Sequence, residues 1–183
     1  NNLSLPAADA ASAEQSDRVA AYLRDLIGDS DISFAQFVNE ALYAPGLGYY
    51  AAGSTKFGAA GDFVTAPEVS SVFGSILARQ IVEVLESTLD GVVLEYGAGS
   101  GKLAVDLINA LERQNALPER YQILEVSPDL RRRQEERIRE AAPNFVEQVE
   151  WLVRPPERFR GVIVANEVLD ALPFERFMIA DGE

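Results

Sequence analysis

The sequence contains no histidine and no cysteine among its 183 residues. This excludes Ser-His and Cys-His catalytic arrangements, zinc sites built from these side chains, iron–sulfur ligation and disulfide bonds. Any catalysis must therefore use carboxylates, lysine, tyrosine, backbone dipoles or a bound cofactor, and we expect no metal site. No apolar run approaches the roughly 20 residues of a membrane-spanning helix, so a membrane is not expected as a partner.

Positive charge is scarce, with 16 Lys and Arg against 29 Asp and Glu and a formal net charge of −13. Such a surface repels polyanions, so nucleic acids are not expected as partners, whereas basic protein segments and cationic ligands are. Residues 1–17 are acidic and lack a signal-like or Arg-rich pattern, which predicts a cytoplasmic protein. Because Met178 is the only methionine, we expect the chain to lack at least its initiator.

The N-terminal part of the chain is predicted to be helical. Apolar residues from Val19 to Ile27 recur at helical spacing, and Ser33 is placed to cap a second, short helix. Residues 43–70 form a predicted loop in which glycines alternate with aromatic residues, and a longer helix follows over residues 71–87. We expect a helical N-terminal region over residues 1–90, followed by the first part of an α/β domain over residues 91–183.

In that second part, short apolar runs alternate with helical periodicity. Strands are predicted at residues 92–96, 121–126, 149–153 and 162–165, with helices from Lys102 and after Ser127. This alternation predicts a mostly parallel, doubly wound sheet with right-handed crossovers and helices on both faces. A further strand-like stretch lies at residues 174–180.

The first predicted strand leads into a glycine-rich turn, residues 95–102, which read EYGAGSGK. In open parallel sheets, ligands bind at this edge, outside the carboxyl ends of the strands. The spacing excludes a Walker phosphate loop, because Tyr96 stands where the first glycine belongs and Leu103 follows the lysine. A dinucleotide fingerprint requires its third glycine where Lys102 stands. A nicotinamide-dependent oxidoreductase is therefore an alternative that Lys102 disfavours.

The remaining pattern, an acid followed by alternating glycines, is typical of class I S-adenosylmethionine methyltransferases. Gly97, Gly99 and Gly101 remove side chains that would keep a ligand from the backbone. Glu95 brings negative charge towards a ligand that carries an ammonium and a sulfonium. Glu125, at the end of the next predicted strand, is placed to accept ribose hydroxyls. The alternatives are a tight turn that holds no ligand and, for Glu125, a solvated carboxylate.

Polar side chains also follow the last clear strand, as Asn166 and Glu167, with Asp170 one helical turn further. Paired carboxylates here can hold a guanidinium, orient one of its nitrogens and accept its proton. The alternative is that these acids cap a helix N-terminus. We expect Asn166 on the cofactor side, and Glu167 and Asp170 on the acceptor side with Asp62 as an outside candidate. Glu68 is a further candidate in the same loop as Asp62, and turn formation is the alternative that explains both acids almost as well.

Several blocks of the sequence resemble the MidA-type methyltransferases, whose mitochondrial members are complex I assembly factors. They are ALYAPGLGYY (41–50), KFG (56–58), GDFVTAPE (61–68), LEYGAGSGKL (94–103) and ANEVLDALP (165–173). The resemblance spans residues 32–177 and implies a Rossmann-like class I methyltransferase fold with an added helical N-terminal region. It also implies S-adenosylmethionine as the methyl donor.

The resemblance further implies an activity and a partner. In the mitochondrial branch the activity is methylation of a protein arginine during complex I assembly, so we expect an arginine-containing segment of a basic protein as the acceptor. We expect a cytoplasmic location for this bacterial-type chain. A non-catalytic assembly or scaffolding protein that binds S-adenosylmethionine is the alternative. Because the family pattern is longer, we expect a chain truncated at its C-terminus, and its activity alone and its oligomeric state stay open.

Overall fold

The computed structural model describes residues 10–29, 31–51, 65–88 and 91–179. In chain order these residues form α1 (Ala10–Asp29), α2 (Phe34–Tyr43), α3 (Ala66–Val69), α4 (Ser71–Glu86), β1 (Val92–Tyr96), α5 (Lys102–Arg113), β2 (Arg120–Leu124), α6 (Pro128–Ala141), β3 (Val149–Leu152) and β4 (Gly161–Ala165). Two 3-10 turns lie at Val146–Gln148 and Leu169–Ala171. Within these ranges, no helix combines the length and the apolar character that crossing a membrane requires.

The four strands form one parallel sheet in the order β3-β2-β1-β4. Strand β1 pairs with β2 on one side and with β4 on the other. Its first residue, Val92, lies opposite Arg120 of β2 and Gly161 of β4. The chain first builds outward from β1 to β3 and then returns to the other side of β1. This reversal creates a topological switch point between β1 and β4, which is where parallel sheets bind their ligands.

The hydrophobic core lies between this sheet and the helices α4, α5 and α6. The strands contribute the buried residues Val93, Tyr121, Ile123, Val149 and Val164, and α5 contributes Leu103, Leu107, Ile108 and Leu111. The four α5 residues recur at positions i, i+4, i+5 and i+8, so they share one face of the helix. Burial of that face against the sheet fixes the turn that precedes α5, and with it the candidate site.

Most predicted elements are confirmed to within two residues. The strand predicted at 121–126 ends earlier, at Leu124, because the Ser127 side chain accepts a hydrogen bond from the Leu130 N–H and begins α6. The predicted loop at 43–70 is wrong at its end, where Ala66–Val69 form α3, with Pro67 in the first turn. The rest of that loop between residues 52 and 64, including Asp62, lies outside the described residues.

The strand-like stretch at residues 174–180 is not confirmed. Its described residues, 174–179, have no regular structure. An isolated strand leaves its backbone donors and acceptors unpaired, and the described chain supplies no strand that hydrogen-bonds to this one. The apolar pattern alone was therefore insufficient to make a strand here.

The described residues fall into two compact units. One comprises those within Asn1–Gly53 and Ala171–Glu183, where the Tyr22 hydroxyl on α1 donates to Glu40 Oε2 on α2 at 2.7 Å. The other comprises those within Ser54–Asp170 and contains the sheet. The predicted domain boundary at residue 90 stays a prediction. The compact units divide the chain after Gly53 and after Asp170 instead. Helix α4 lies in the same unit as the sheet because it packs against α5.

Candidate functional site

The glycine turn connects β1 to α5 with an unusual backbone. Gly97, Gly99 and Gly101 have φ angles of +62°, +53° and +78°. This left-handed region costs residues with a side chain about 1–2 kcal/mol each. The Gly97 N–H donates to the Leu124 carbonyl at 3.0 Å, and the Gly101 N–H donates to the Ala98 carbonyl at 2.8 Å. The turn is therefore fixed to the end of β2 as well as to its own backbone.

The first and last of these glycines face different surroundings. Among the described residues, a Cβ atom on Gly97 would meet only Val168 Cγ2, at 3.6 Å, which is an ordinary van der Waals distance that leaves room at this position. A Cβ atom on Gly101 would approach Gln134 Cα to 3.2 Å. Gly97 thus keeps a space open at the end of β1, which suits its predicted binding role. Gly101 has a packing role that the motif did not reveal, since it lets α6 lie against the turn.

Glu95 is buried in β1, with 2% of its surface exposed. The Tyr121 hydroxyl donates to Glu95 Oε2 at 2.7 Å. The pKa of Glu95 is raised to about 7. Burial is the largest cause, the hydrogen bond from Tyr121 opposes it, and the charge of Glu125 raises the pKa further. The carboxyl is therefore only partly ionised near neutral pH. Its predicted role as a negative charge beside the cofactor stays a prediction.

Glu125 follows β2 and has 7% of its surface exposed. The Ser127 N–H donates to Oε1 at 2.9 Å, and the Gln134 side chain donates to Oε2 at 3.0 Å. Burial raises the pKa of Glu125, while the hydrogen bonds from Ser127 and Gln134 lower it. The alternative of a solvated carboxylate does not fit this burial. The Val126 backbone also forms a hydrogen bond that lowers this pKa, and a carboxylate, with about four lone-pair sites, keeps acceptor capacity for a hydroxyl donor.

Gln134 is a site residue that the sequence analysis missed. It lies on α6 and is fully buried. Its Nε2 donates to the Gly99 carbonyl and to Glu125 Oε2, both at 3.0 Å, and its Oε1 accepts from Trp151 Nε1 at 3.0 Å. In the sequence, Gln134 stands among the arginines and glutamates of α6, which predicts a solvent-exposed side chain. The available signal was its position one helical turn before the buried Ile138.

The segment after β4 carries the predicted acceptor-side residues. Asn166 is half-buried and directly follows Ala165, which lies opposite Tyr96 at the end of β1. Glu167 is exposed and has a φ angle of +53°, a left-handed conformation that is uncommon without glycine. Asp170 is exposed in a 3-10 turn, and no α-helix begins within residues 166–170. Capping of an α-helix therefore does not explain these acids, although Asp170 lies in the first turn of the 3-10 helix.

Glu68 is connected to the glycine turn through Ser100. The Ser100 hydroxyl donates to Glu68 Oε1 and accepts from the Lys102 N–H and from Arg137 Nη1, both at 3.3 Å. Lys102 Nζ instead forms an ion pair with Asp106 at 2.6 Å. The lysine is thus occupied within α5, so the turn presents no free ammonium to a phosphate. The structure brings Glu68 to the site, whereas Asp62 lies outside the described residues.

These residues fit S-adenosylmethionine, a ligand without phosphate. The remaining acceptor capacity of the Glu125 carboxylate suits a ribose hydroxyl, and the space at Gly97 suits close approach of a ligand to the backbone. Both positions border the carboxyl end of β1, next to the switch point. The geometry does not assign Gly101 to the ligand, because its missing side chain accommodates α6.

Comparison with known proteins gives the same indication. A protein family described as "Putative S-adenosyl-L-methionine-dependent methyltransferase" matches residues 76–183, more than half of the chain. The protein arginine methyltransferase NDUFAF7 homolog, mitochondrial, of Drosophila melanogaster is 28% identical over 181 residues, covering 86% of this chain and 41% of its own length. The Caenorhabditis elegans homolog is 29% identical over 191 residues, covering 91% and 45%.

A solved structure is more similar. A Burkholderia thailandensis protein bound to S-adenosyl-homocysteine is 43% identical, with a TM-score of 0.85 over 93% of this chain and 46% of that one. This match and the parallel sheet confirm the predicted Rossmann-like α/β fold class. The chain spans less than half the length of these relatives.

Proposed function

Because the chain belongs to the S-adenosyl-L-methionine-dependent methyltransferase family that matches residues 76–183, we propose that it binds S-adenosylmethionine for methyl transfer to an arginine-containing protein segment. This membership confirms the resemblance to the MidA-type enzymes. The observation that carries the proposal is the pairing of the buried Glu125 with the left-handed glycine turn at the switch point of the sheet. The cytoplasmic location stays a prediction.

In this function each cofactor-side residue has a distinct task. The bound cofactor supplies an electrophilic methyl group on its sulfonium. Gly97 and Gly99 let it lie against the backbone of the turn, and Glu125 accepts its ribose hydroxyls. Glu95, when ionised, contributes negative charge, and Asn166 borders the site from the end of β4. The chain's own contribution is thus positioning and electrostatics.

The acceptor side rests on Glu167 and Asp170. Both are exposed, and both lie in the segment that places Val168 beside the open position at Gly97. Two carboxylates can hold a guanidinium through charge-assisted hydrogen bonds, and one can accept its proton after transfer. The net charge of −13 favours basic segments. The names of the fly and worm relatives, which are protein arginine methyltransferases, also support an arginine acceptor. Asp62 stays an additional candidate.

Cofactor binding is tested by Gly97→Ala. The added Cβ enters the open space at the end of β1, and we expect S-adenosyl-homocysteine to bind at least roughly tenfold more weakly in calorimetry. The matched control is Gly46→Ala, because Gly46 has a φ angle of +70° and no described residue within 4 Å of its Cβ position. Both variants should lose about 1–2 kcal/mol of stability to backbone strain, and only the first should lose affinity.

Equal affinities of the two variants, with both folded by circular dichroism, would place the cofactor away from Gly97. NADH and ATP are included as ligands. Binding of NADH in preference to S-adenosyl-homocysteine would instead support the oxidoreductase alternative.

The acceptor side is tested by Glu167→Gln. In an assay with radiolabelled S-adenosylmethionine and an arginine-rich protein, we expect kcat to fall at least roughly tenfold while affinity for S-adenosyl-homocysteine stays unchanged. Glutamine keeps the size of the side chain but removes its charge and its capacity as a base. Glu157→Gln, at an exposed acid in the same compact unit, is the control and should leave kcat unchanged.

The assay also separates the two candidate roles. Lysine replacement of the acceptor arginines should abolish transfer if arginine is the acceptor. Binding of S-adenosyl-homocysteine without transfer to any basic protein would contradict the catalytic proposal and favour the scaffolding alternative.

A further inference from the structure

We propose that Gln134 is a positioning residue that ties Glu125 to the glycine turn and thereby sets the affinity for the ribose of the cofactor. This inference rests on the proposed function. It adds Gln134, a residue outside the glycine motif, to the cofactor site and relates it to the ribose of the cofactor. Gln134 acts through Glu125 and is not itself expected to contact the cofactor.

Both N–H groups and the oxygen of the Gln134 side-chain amide form hydrogen bonds. Its two N–H donors go to the Gly99 carbonyl and to Glu125 Oε2, and its oxygen accepts from Trp151 Nε1. The Trp indole can only donate, so it fixes which end of the amide carries the oxygen. The amino group must then face the two acceptors. A reversed amide would place its oxygen, an acceptor, against the acceptor oxygens of Gly99 and Glu125.

These bonds connect three separate elements of the sheet unit. Gly99 lies in the turn after β1, Glu125 follows β2, and Trp151 lies in β3. The backbone of Gln134 is also fixed, since α6 packs so closely on the turn that a Cβ atom at Gly101 would approach Gln134 Cα to 3.2 Å. A fully buried side chain with a fixed backbone and a fixed amide holds its neighbours in one arrangement.

The arrangement serves a buried carboxylate that must keep accepting hydrogen bonds. Burial raises the pKa of Glu125, and the Gln134 amide opposes this effect by donating to the charged form. The amide also donates to one lone pair of Glu125 Oε2. This hydrogen bond fixes the direction in which the second lone pair of Oε2 points. Without the amide, Glu125 retains the Ser127 N–H on Oε1, but Oε2 loses its side-chain donor and its orientation.

The decisive experiment compares two ligands on the Gln134→Met variant of the whole chain. Methionine has a similar length and fills the same space, but it cannot donate hydrogen bonds. By calorimetry, we expect S-adenosyl-homocysteine to bind roughly tenfold more weakly. An analogue that lacks both ribose hydroxyls should lose less than about twofold relative to the wild-type chain, because it does not use Glu125. Gln114→Met is the control, since the Gln114 side-chain amide donates to the Ala110 carbonyl on its own helix, α5.

A second variant and a ligand-free measurement keep the proposal testable if Gln134→Met folds poorly. Trp151→Phe removes the N–H that orients the amide together with part of the ring, and we expect a smaller loss with the same dependence on the ribose hydroxyls. In the ligand-free chain, an NMR titration of the Glu125 carboxyl should show a higher pKa in Gln134→Met than in the wild type.

The outcomes are distinguishable. Equal losses for the two ligands would reduce Gln134 to a packing residue and overturn the inference while leaving the proposed function intact. An unchanged Glu125 titration in Gln134→Met would overturn it as well. Failure of the folded wild-type chain to bind S-adenosyl-homocysteine would overturn the proposed function, and this inference with it.

Discussion

Alanine at Gly161 is expected to lower the free energy of unfolding by on the order of 4 kcal/mol. Gly161 opens β4 with a φ angle of +142°, which L side chains rarely adopt. Its Cβ atom would lie 1.9 Å from the Val92 carbonyl oxygen and 2.7 Å from the Val92 nitrogen. Both contacts are with backbone, so no side-chain rotation can relieve them. Either β4 must move away or β1 must shift.

The effect is large because β1 cannot shift freely. Val92 is paired with Gly161 on one side and with Arg120 on the other, in the centre of the sheet. Small domains have about 5–15 kcal/mol of stability, so a loss of this size removes a large fraction of it. Movement of β4 would also carry Asn166 and Glu167 away from the switch point, and cofactor affinity should fall together with stability.

Urea unfolding followed by the fluorescence of Trp151, the only tryptophan, measures this loss. Gly28→Ala is the control, because Gly28 lies in α1 and the part of the chain that the structure describes places nothing within 4 Å of its Cβ position. It should leave stability unchanged or raise it by up to about 1 kcal/mol. A loss below about 1 kcal/mol in Gly161→Ala would show that β4 separates from β1 at little cost.

Local patterns predicted most of the sheet unit. The strands were readable because each is a short apolar run bounded by polar or glycine residues, and α6 because Ser127 and Pro128 mark its start. The stretch at 174–179 was misread because a strand exists only when another strand pairs with it. Local composition contains no information about that partner.

The candidate site was predictable only where it follows a motif. The glycine turn and Glu125 were found because strand ends in a parallel sheet face the same edge. Gln134 was missed because its role depends on contacts with the turn after β1, with the residue that follows β2 and with β3, which only the folded chain brings together. The burial of Glu95 was missed for the same reason. Its partner Tyr121 lies on the neighbouring strand, and a motif read along one strand does not show this pairing.

Glu95 makes the stability of the chain depend on pH. Its pKa is about 7 in the folded chain, against 4.5 for an unperturbed glutamate. Between these values the folded state binds more protons than the unfolded state, so stability falls as the pH rises from about 4.5 to 7. Below this window the carboxyl is protonated in both states, and above it the full cost of burying the charge is present. The shift corresponds to about 3 kcal/mol.

The variant Glu95→Gln removes the ionisable group while keeping its size and an acceptor for the Tyr121 hydroxyl. The unfolding free energy of the wild type minus that of the variant should therefore fall by about 3 kcal/mol between pH 4.5 and 8. Tyr121→Phe provides the directional check. The Tyr121 hydrogen bond lowers the pKa of Glu95, so its loss should move the pH window upward. A difference that stays flat with pH would mean that Glu95 keeps its ordinary pKa, and its carboxylate would then be fully charged beside the glycine turn.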